Sequence, residues 1–72
     1  MIKGNEYYNG NMQLRYIDMI DEWHIFYRVN DNTFVLTSII TSNDGLCVSW
    51  CNGHYITDLK GVYGFLKERG VL

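Results

Sequence analysis

Apolar and polar residues alternate along most of this chain, and turn-forming residues interrupt the alternation at short intervals. The interruptions are Asn9-Gly10, Asp21-Glu22, Asn30-Asp31-Asn32, Asn43-Asp44-Gly45 and Asn52-Gly53, with runs rich in Ile, Val, Thr and aromatic residues between them. Period-two patterning between such turns predicts an antiparallel meander, because successive side chains of a strand point to opposite faces. After His54-Tyr55-Ile56 the period lengthens. Leu59, Val62, Tyr63 and Leu66 fall on one helical face, Thr57 can act as N-cap, and Asp58 suits the positive end of the helix dipole. Lys67 and Arg69 sit in the last turn, and Gly70 can take the left-handed position that ends it. Gly61 and Gly64 each cost about 1 kcal/mol against Ala, so this helix depends on docking, and they permit a close approach to the sheet. Residues 12–21 carry two patterns: Leu14, Tyr16 and Ile20 as a strand face, or Leu14, Ile17 and Ile20 as a helical stripe. The neighbouring Asn9-Gly10 hairpin signal favours the strand.

Register decides which residues share a face, since a slip of one residue moves every side chain to the other side. A three-residue loop at Asn43-Asp44-Gly45 sets Ser42 opposite Leu46 and Ile40 opposite Val48. A two-residue loop at Asp31-Asn32 sets Val29 opposite Phe34 and Tyr27 opposite Leu36. These registers agree in placing Trp23, Ile25, Tyr27, Val29, Phe34, Leu36, Ile40, Leu46, Val48 and Trp50 on one face, an apolar surface for the helix to cover. If Asp21-Glu22 is also a two-residue turn, Leu14, Tyr16 and Ile20 join that face, but so does Asp18. The opposite face carries Arg15, Ile17, Met19, His24, Phe26, Arg28, Val35, Thr37, Ile39, Thr41, Cys47, Ser49 and Cys51. It is half apolar, so either the sheet curls to enclose part of it or another chain covers it.

The expected architecture is therefore α+β: a twisted antiparallel β-meander of four to five strands over residues 5–56, with one C-terminal amphipathic helix over 57–70. Such a sheet can curl as an SH3-like or OB-like half-barrel. At 72 residues the chain is expected to be a single domain, too small to enclose a large active-site cavity. Hydrophobic residues make up 47% and charged residues 19%, which excludes a disordered chain. A net charge of −2 gives neither the basic footprint of a nucleic-acid binder nor the dense acidity of a DNA mimic. No apolar run approaches the length that spans a bilayer and no secretory h-region opens the chain, so a cytoplasmic protein without membrane contact is expected. Pro and Ala are both lacking, as in AT-rich genes of the kind that phages and mobile elements often carry.

Cys47, Cys51, His54 and His24 are the residues that raise a question of metal or thiol chemistry. Cα atoms four apart on an extended strand are separated by about 13 Å, so Cys47 and Cys51 can share neither an ion nor a disulfide there. Buried thiols are the simpler expectation. Across an Asn52-Gly53 turn Cys51 and His54 face one another, the minimum for an activated thiolate, but a hairpin tip offers no oxyanion site or cleft. Arg15 and Arg28 lie side by side in the assumed register, with His24 and Phe26 near, a combination that suits an anion or stacked bases, although two arginines splayed into solvent are the simpler expectation. Tyr7, Tyr8 and Tyr55 sit next to turns or chain ends, where they suit equally a protein interface and packing at the rim of a small core. No cofactor, metal or catalytic set is expected. The favoured function is a non-enzymatic module acting through protein–protein contact, with a host target or a second copy as partner, as in a mobile-element inhibitor of a host enzyme or defence complex. Its candidate surface is Arg15, His24, Phe26, Arg28, Thr37, Ile39, Cys51, His54 and Tyr55. The alternatives are a single-stranded nucleic-acid binder using Arg15, Phe26 and Arg28, and a thiol or metal protein centred on Cys51 and His54.

Overall fold

The computed structural model describes residues 1–43 and 45–72. Among them the elements follow in the order β1 (Glu6–Asn9), β2 (Met12–Ile20), β3 (Trp23–Arg28), β4 (Thr33–Thr37), β5 (Ile40–Asn43), β6 (Cys47–Trp50), β7 (His54–Ile56) and α1 (Leu59–Glu68). The protein is a small α+β structure, and the described residues form seven strands rather than the four to five expected. Two features raise the number. The run from 33 to 42 breaks at Ser38-Ile39 into β4 and β5, and His54–Ile56 leaves the hairpin predicted for it to pair with β4. Residues 12–20 are strand, and no helical stripe forms there. The sheet is mostly antiparallel; the exception is β1 beside β6, in parallel at Tyr8↔Cys47, where the Tyr8 amide donates to the Leu46 carbonyl at 2.8 Å.

The strand order β5-β6-β1-β2-β3-β4-β7 requires a rolled sheet. In a flat sheet β5 would stand about 24 Å from β4, five strand spacings away. Only residues 38 and 39 join them, and the three links from Thr37 to Ile40 reach at most about 11 Å. The sheet must therefore curl until its β5–β6 end lies over its own β3–β4 face.

Curling gives the protein two cores in place of the single apolar face expected. The inner core holds Tyr7, Leu14, Tyr16, Phe26, Val35 and Val48, with Met12, Ile40 and Trp50 packed against it. The outer core lies under the helix and holds Ile25, Leu36, Val62 and Leu66, with Ile20, Trp23, Phe34, Ile56, Phe65 and Val71. Trp23, Ile25, Phe34 and Leu36 thus keep the helix-covered face assigned to them, whereas Leu14, Tyr16, Ile40, Val48 and Trp50 line the inside. Leu46 is 52% exposed and belongs to neither core.

A β-bulge in β2 explains much of this division. From the Asp21-Glu22 turn the pairs run Ile20↔Trp23, Met19↔His24 and Asp18↔Ile25, then shift to Tyr16↔Phe26, Arg15↔Tyr27 and Leu14↔Arg28, leaving Ile17 as the extra residue. One added residue reverses the facing, so Ile20 packs outside while Tyr16 and Leu14 turn inward. The β3–β4 loop is longer than predicted, with Arg28↔Thr33 and Tyr27↔Phe34 as partners. Likewise Ser42 pairs with Val48 and Ile40 with Trp50. Both of these shifts move the partners by two, which preserves the faces. The predicted Asn43-Asp44-Gly45 turn includes Asp44, which lies outside the described residues.

The helix is capped by Asp58, not Thr57: its carboxylate accepts the Gly61 amide at 2.8 Å. Its end is a Schellman motif, with the Val71 amide donating to the Leu66 carbonyl at 2.9 Å and the Gly70 amide to Lys67 at 3.0 Å. Gly70 has φ +72°, the left-handed conformation expected of it. Val62, Phe65 and Leu66 face the sheet, while Leu59 and Tyr63, predicted on the same stripe, lie exposed on its flank. Among the described residues no helix is long and apolar enough to cross a membrane.

Candidate interaction surface

The bulge at Ile17 takes apart the basic and aromatic platform that a regular register would build. Arg15 stands opposite Tyr27 and Arg28 opposite Leu14, so the two arginines lie on opposite faces of the sheet. Arg15 meets the Glu6 carboxylate at 3.4 Å. Arg28 is paired with Asp31, and its guanidinium lies over the Tyr55 ring, 5.0 Å from the centroid. Phe26 is fully buried and stacked on Trp50 at 5.7 Å, and Thr37 is fully buried as well. Neither can belong to a contact surface, because the curled sheet covers them from within the chain. Ile39, at the crossing from β4 to β5, is 65% exposed. His24 is half-buried, and its Nδ1 and the Tyr16 hydroxyl are hydrogen-bonded at 2.9 Å. Burial foremost, and then the nearby positive N-terminus, hold His24 below the ordinary histidine value. Burial foremost, then the charge of Asp18 and the neighbouring Tyr7, raise the Tyr16 hydroxyl.

Cys51 and His54 are not cross-strand partners. β7 pairs with β4, through Leu36↔His54, Val35↔Tyr55 and Phe34↔Ile56, so Asn52-Gly53 is a crossing and not a hairpin turn. Gly53 sits against the Trp50 indole, where an added Cβ would come within 2.5 Å of Nε1. Both cysteines are free and exposed, against the expectation of buried thiols. Alternation explains this: Val48 and Trp50 point to the inner core, so Cys47 and Ser49 point away. Among the described residues no three His, Cys, Asp or Glu side chains form a group that could hold a metal.

A different cluster assembles at the β7 edge of the sheet. On the helix side, His54 lies 4.9 Å from Phe65 and 5.8 Å from Trp23, and Trp23 meets Phe65 edge-on at 5.0 Å. Arg69 caps this group. Its guanidinium carbon sits 3.5 Å above the Phe65 ring and 5.8 Å from Trp23, and Nη1 donates to the Phe65 carbonyl at 3.2 Å. On the other side of the same strand lies the Arg28–Tyr55 pair. β7 is therefore flanked at each face by an arginine on an aromatic ring, Arg69 on Phe65 and Arg28 on Tyr55, and its own His54 and Tyr55 are exposed. Lys3, Arg15 and Arg28 each pair with a carboxylate, whereas Arg69 has none among the described residues. The sequence pattern assigns Trp23 to the core and Arg69 to the last helical turn without joining them. The i,i+4 spacing of Phe65 and Arg69 on a predicted helix is the signal that links them.

A cleft of about 390 Å³ opens between the β1–β2 turn and the β3–β4 loop, lined by Asn9, Asn11, Met12, Gln13, Arg28, Asn30 and Asp31. Its acid is held by its base, and its other polar groups are carboxamides, which neither attack nor transfer protons readily at neutral pH. No protein-family model, curated protein or solved structure matches the chain.

Proposed function

We propose that the protein is a non-enzymatic binding module that acts by protein–protein contact, and that it docks through the β7 edge and the adjoining end of α1. The observation that carries this reading is the position of β7 as the last strand in the sheet order, with exposed His54 and Tyr55 flanked by arginines stacked on aromatic rings. Arginine, tryptophan and tyrosine are the residue types that dominate binding energy at interfaces. The last strand of a sheet in turn has backbone groups that no neighbouring strand pairs, which can bond an incoming chain. An inhibitor that occupies the surface of a host enzyme or defence complex fits a chain of this size.

The nucleic-acid reading loses its platform, because Arg15, Phe26 and Arg28 do not share a surface. The thiol reading loses its cross-strand pair, because His54 pairs with Leu36 of β4 and Cys51 lies just past the end of β6. The test is site-specific photo-cross-linking in the cells from which the gene comes. A benzophenone side chain replacing Tyr55 is expected to yield one dominant protein adduct, and the same group at Thr41 on the opposite edge none. The adduct's mass separates a host target from a second copy of the chain. No adduct from Tyr55, or equal adducts from both positions, would sink the proposal.

A further inference from the structure

We infer that the β7 edge receives an extended, acidic segment of the partner protein, whose carboxylate is taken by the guanidinium of Arg69. The inference rests on the docking reading above and adds the chemistry of the partner. An extended segment follows from the edge. Among the described residues no strand lies on the outer side of β7, and neither Pro nor Lys on it blocks an added strand. Only a polypeptide matches the backbone donors and acceptors of such an edge.

The acid follows from Arg69. Its guanidinium is fixed at two points, over the Phe65 ring and at the Phe65 carbonyl, and only one of its N–H groups is taken up by that hydrogen bond. The others are free among the described residues, and a forked guanidinium held in place is the donor set that a carboxylate accepts best. Alternation supplies the register. In an added strand, the residue opposite His54 points to the face where Trp23, Phe65 and Arg69 lie, and its neighbours point to the face of Tyr55 and Arg28. Of the two arginines that flank β7, Arg28 is already paired with Asp31, so the unmatched guanidinium is that of Arg69. One free guanidinium suits a carboxylate. A phosphodiester chain would call for several cations along its track.

The experiment is an amide and side-chain NMR titration of the ¹⁵N-labelled protein with three probes: acetyl-(Thr-Glu)₃-amide, its Gln counterpart and inorganic phosphate. The Glu peptide is expected to shift the amides of His54, Tyr55 and Ile56, the Trp23 indole N–H and the Arg69 Nε–H together and saturably. The Gln peptide should bind about tenfold more weakly, the loss expected for a charge-assisted contact. Arg69→Ala should lose the same tenfold for the Glu peptide and no longer distinguish the two peptides, and Arg69→Lys should fall between. Equal binding of the Glu and Gln peptides by the native chain overturns the inference, and that arm requires no variant to fold. Phosphate producing the same shifts at the same concentration also overturns it, by reducing the site to a general anion contact. If the peptides fail while Tyr55 still cross-links one protein, the carboxylate chemistry is wrong and the docking reading stands. If both fail, both fall.

Discussion

At the scale of single residues, the hydrogen-bonded Tyr16–His24 pair couples the inner core to pH. His24 is held below its ordinary value, so the folded state favours the neutral ring. A depressed histidine contributes stability that is present above the unfolded value near 6.5 and lost as pH falls from there toward the folded value. Asp18 is lowered by its hydrogen bonds to Lys3 and to the Met19 amide, and its contribution is lost only below the unfolded carboxylate value near 3.8. The two windows do not overlap between pH 7 and pH 5. The urea midpoint is therefore expected to fall over that interval in the native chain, and His24→Gln should flatten the fall. An unchanged slope in the variant would show that another group governs it.

At the scale of elements, the two helical glycines differ in a way their shared propensity cost conceals. An added Cβ at Gly61 would come within 2.6 Å of Ile56 Cγ2, whereas at Gly64 it would meet nothing within 4 Å. Gly64→Ala is expected to stabilise the protein by about 0.5–1 kcal/mol through helix propensity alone. Gly61→Ala should destabilise it or leave it unchanged, because the clash with β7 offsets the same gain. Chemical denaturation of the two variants measures the difference, and equal gains would mean that the helix does not rest on β7 as closely as described. The strands repeat the lesson. The pairings of β3 with β4 and of β5 with β6 differ from those expected by two and leave the faces intact, while the single bulge at Ile17 exchanges them.

At the scale of the molecule, β3 and β4 supply both cores: Phe26 and Val35 inside, Ile25 and Leu36 outside. Such a sheet has no face to spare, and the two cores should melt as one. Trp50 reports the inner core and Trp23 the outer, so Trp23→Phe and Trp50→Phe each leave one probe. Their fluorescence transitions are expected to coincide within error, and separated midpoints would disprove a single cooperative unit. Phe26→Ala should cost about 3–5 kcal/mol and Leu66→Ala about 2–5 kcal/mol. In a chain of this size either is comparable to the whole stability, so both are expected to unfold it at room temperature, as seen by amide dispersion.

Local pattern alone determined where most strands and the helix lie, because turn residues, alternation and caps act within a few positions. It also placed Trp23, Ile25, Phe34, Leu36, Val62 and Leu66 at the helix–sheet contact. Tertiary structure alone decided that the sheet rolls, that Leu14, Tyr16, Val48 and Trp50 line the inside, and that Arg15 parts from Arg28. A bulge of one residue has no period of its own, and Ile17 is as good a strand residue as its neighbours. The same limit applied to the surface. Arg69 reaches Trp23, and Phe65 reaches His54, only because the helix packs back onto the sheet, contacts between positions 46 and 11 residues apart that no local pattern records.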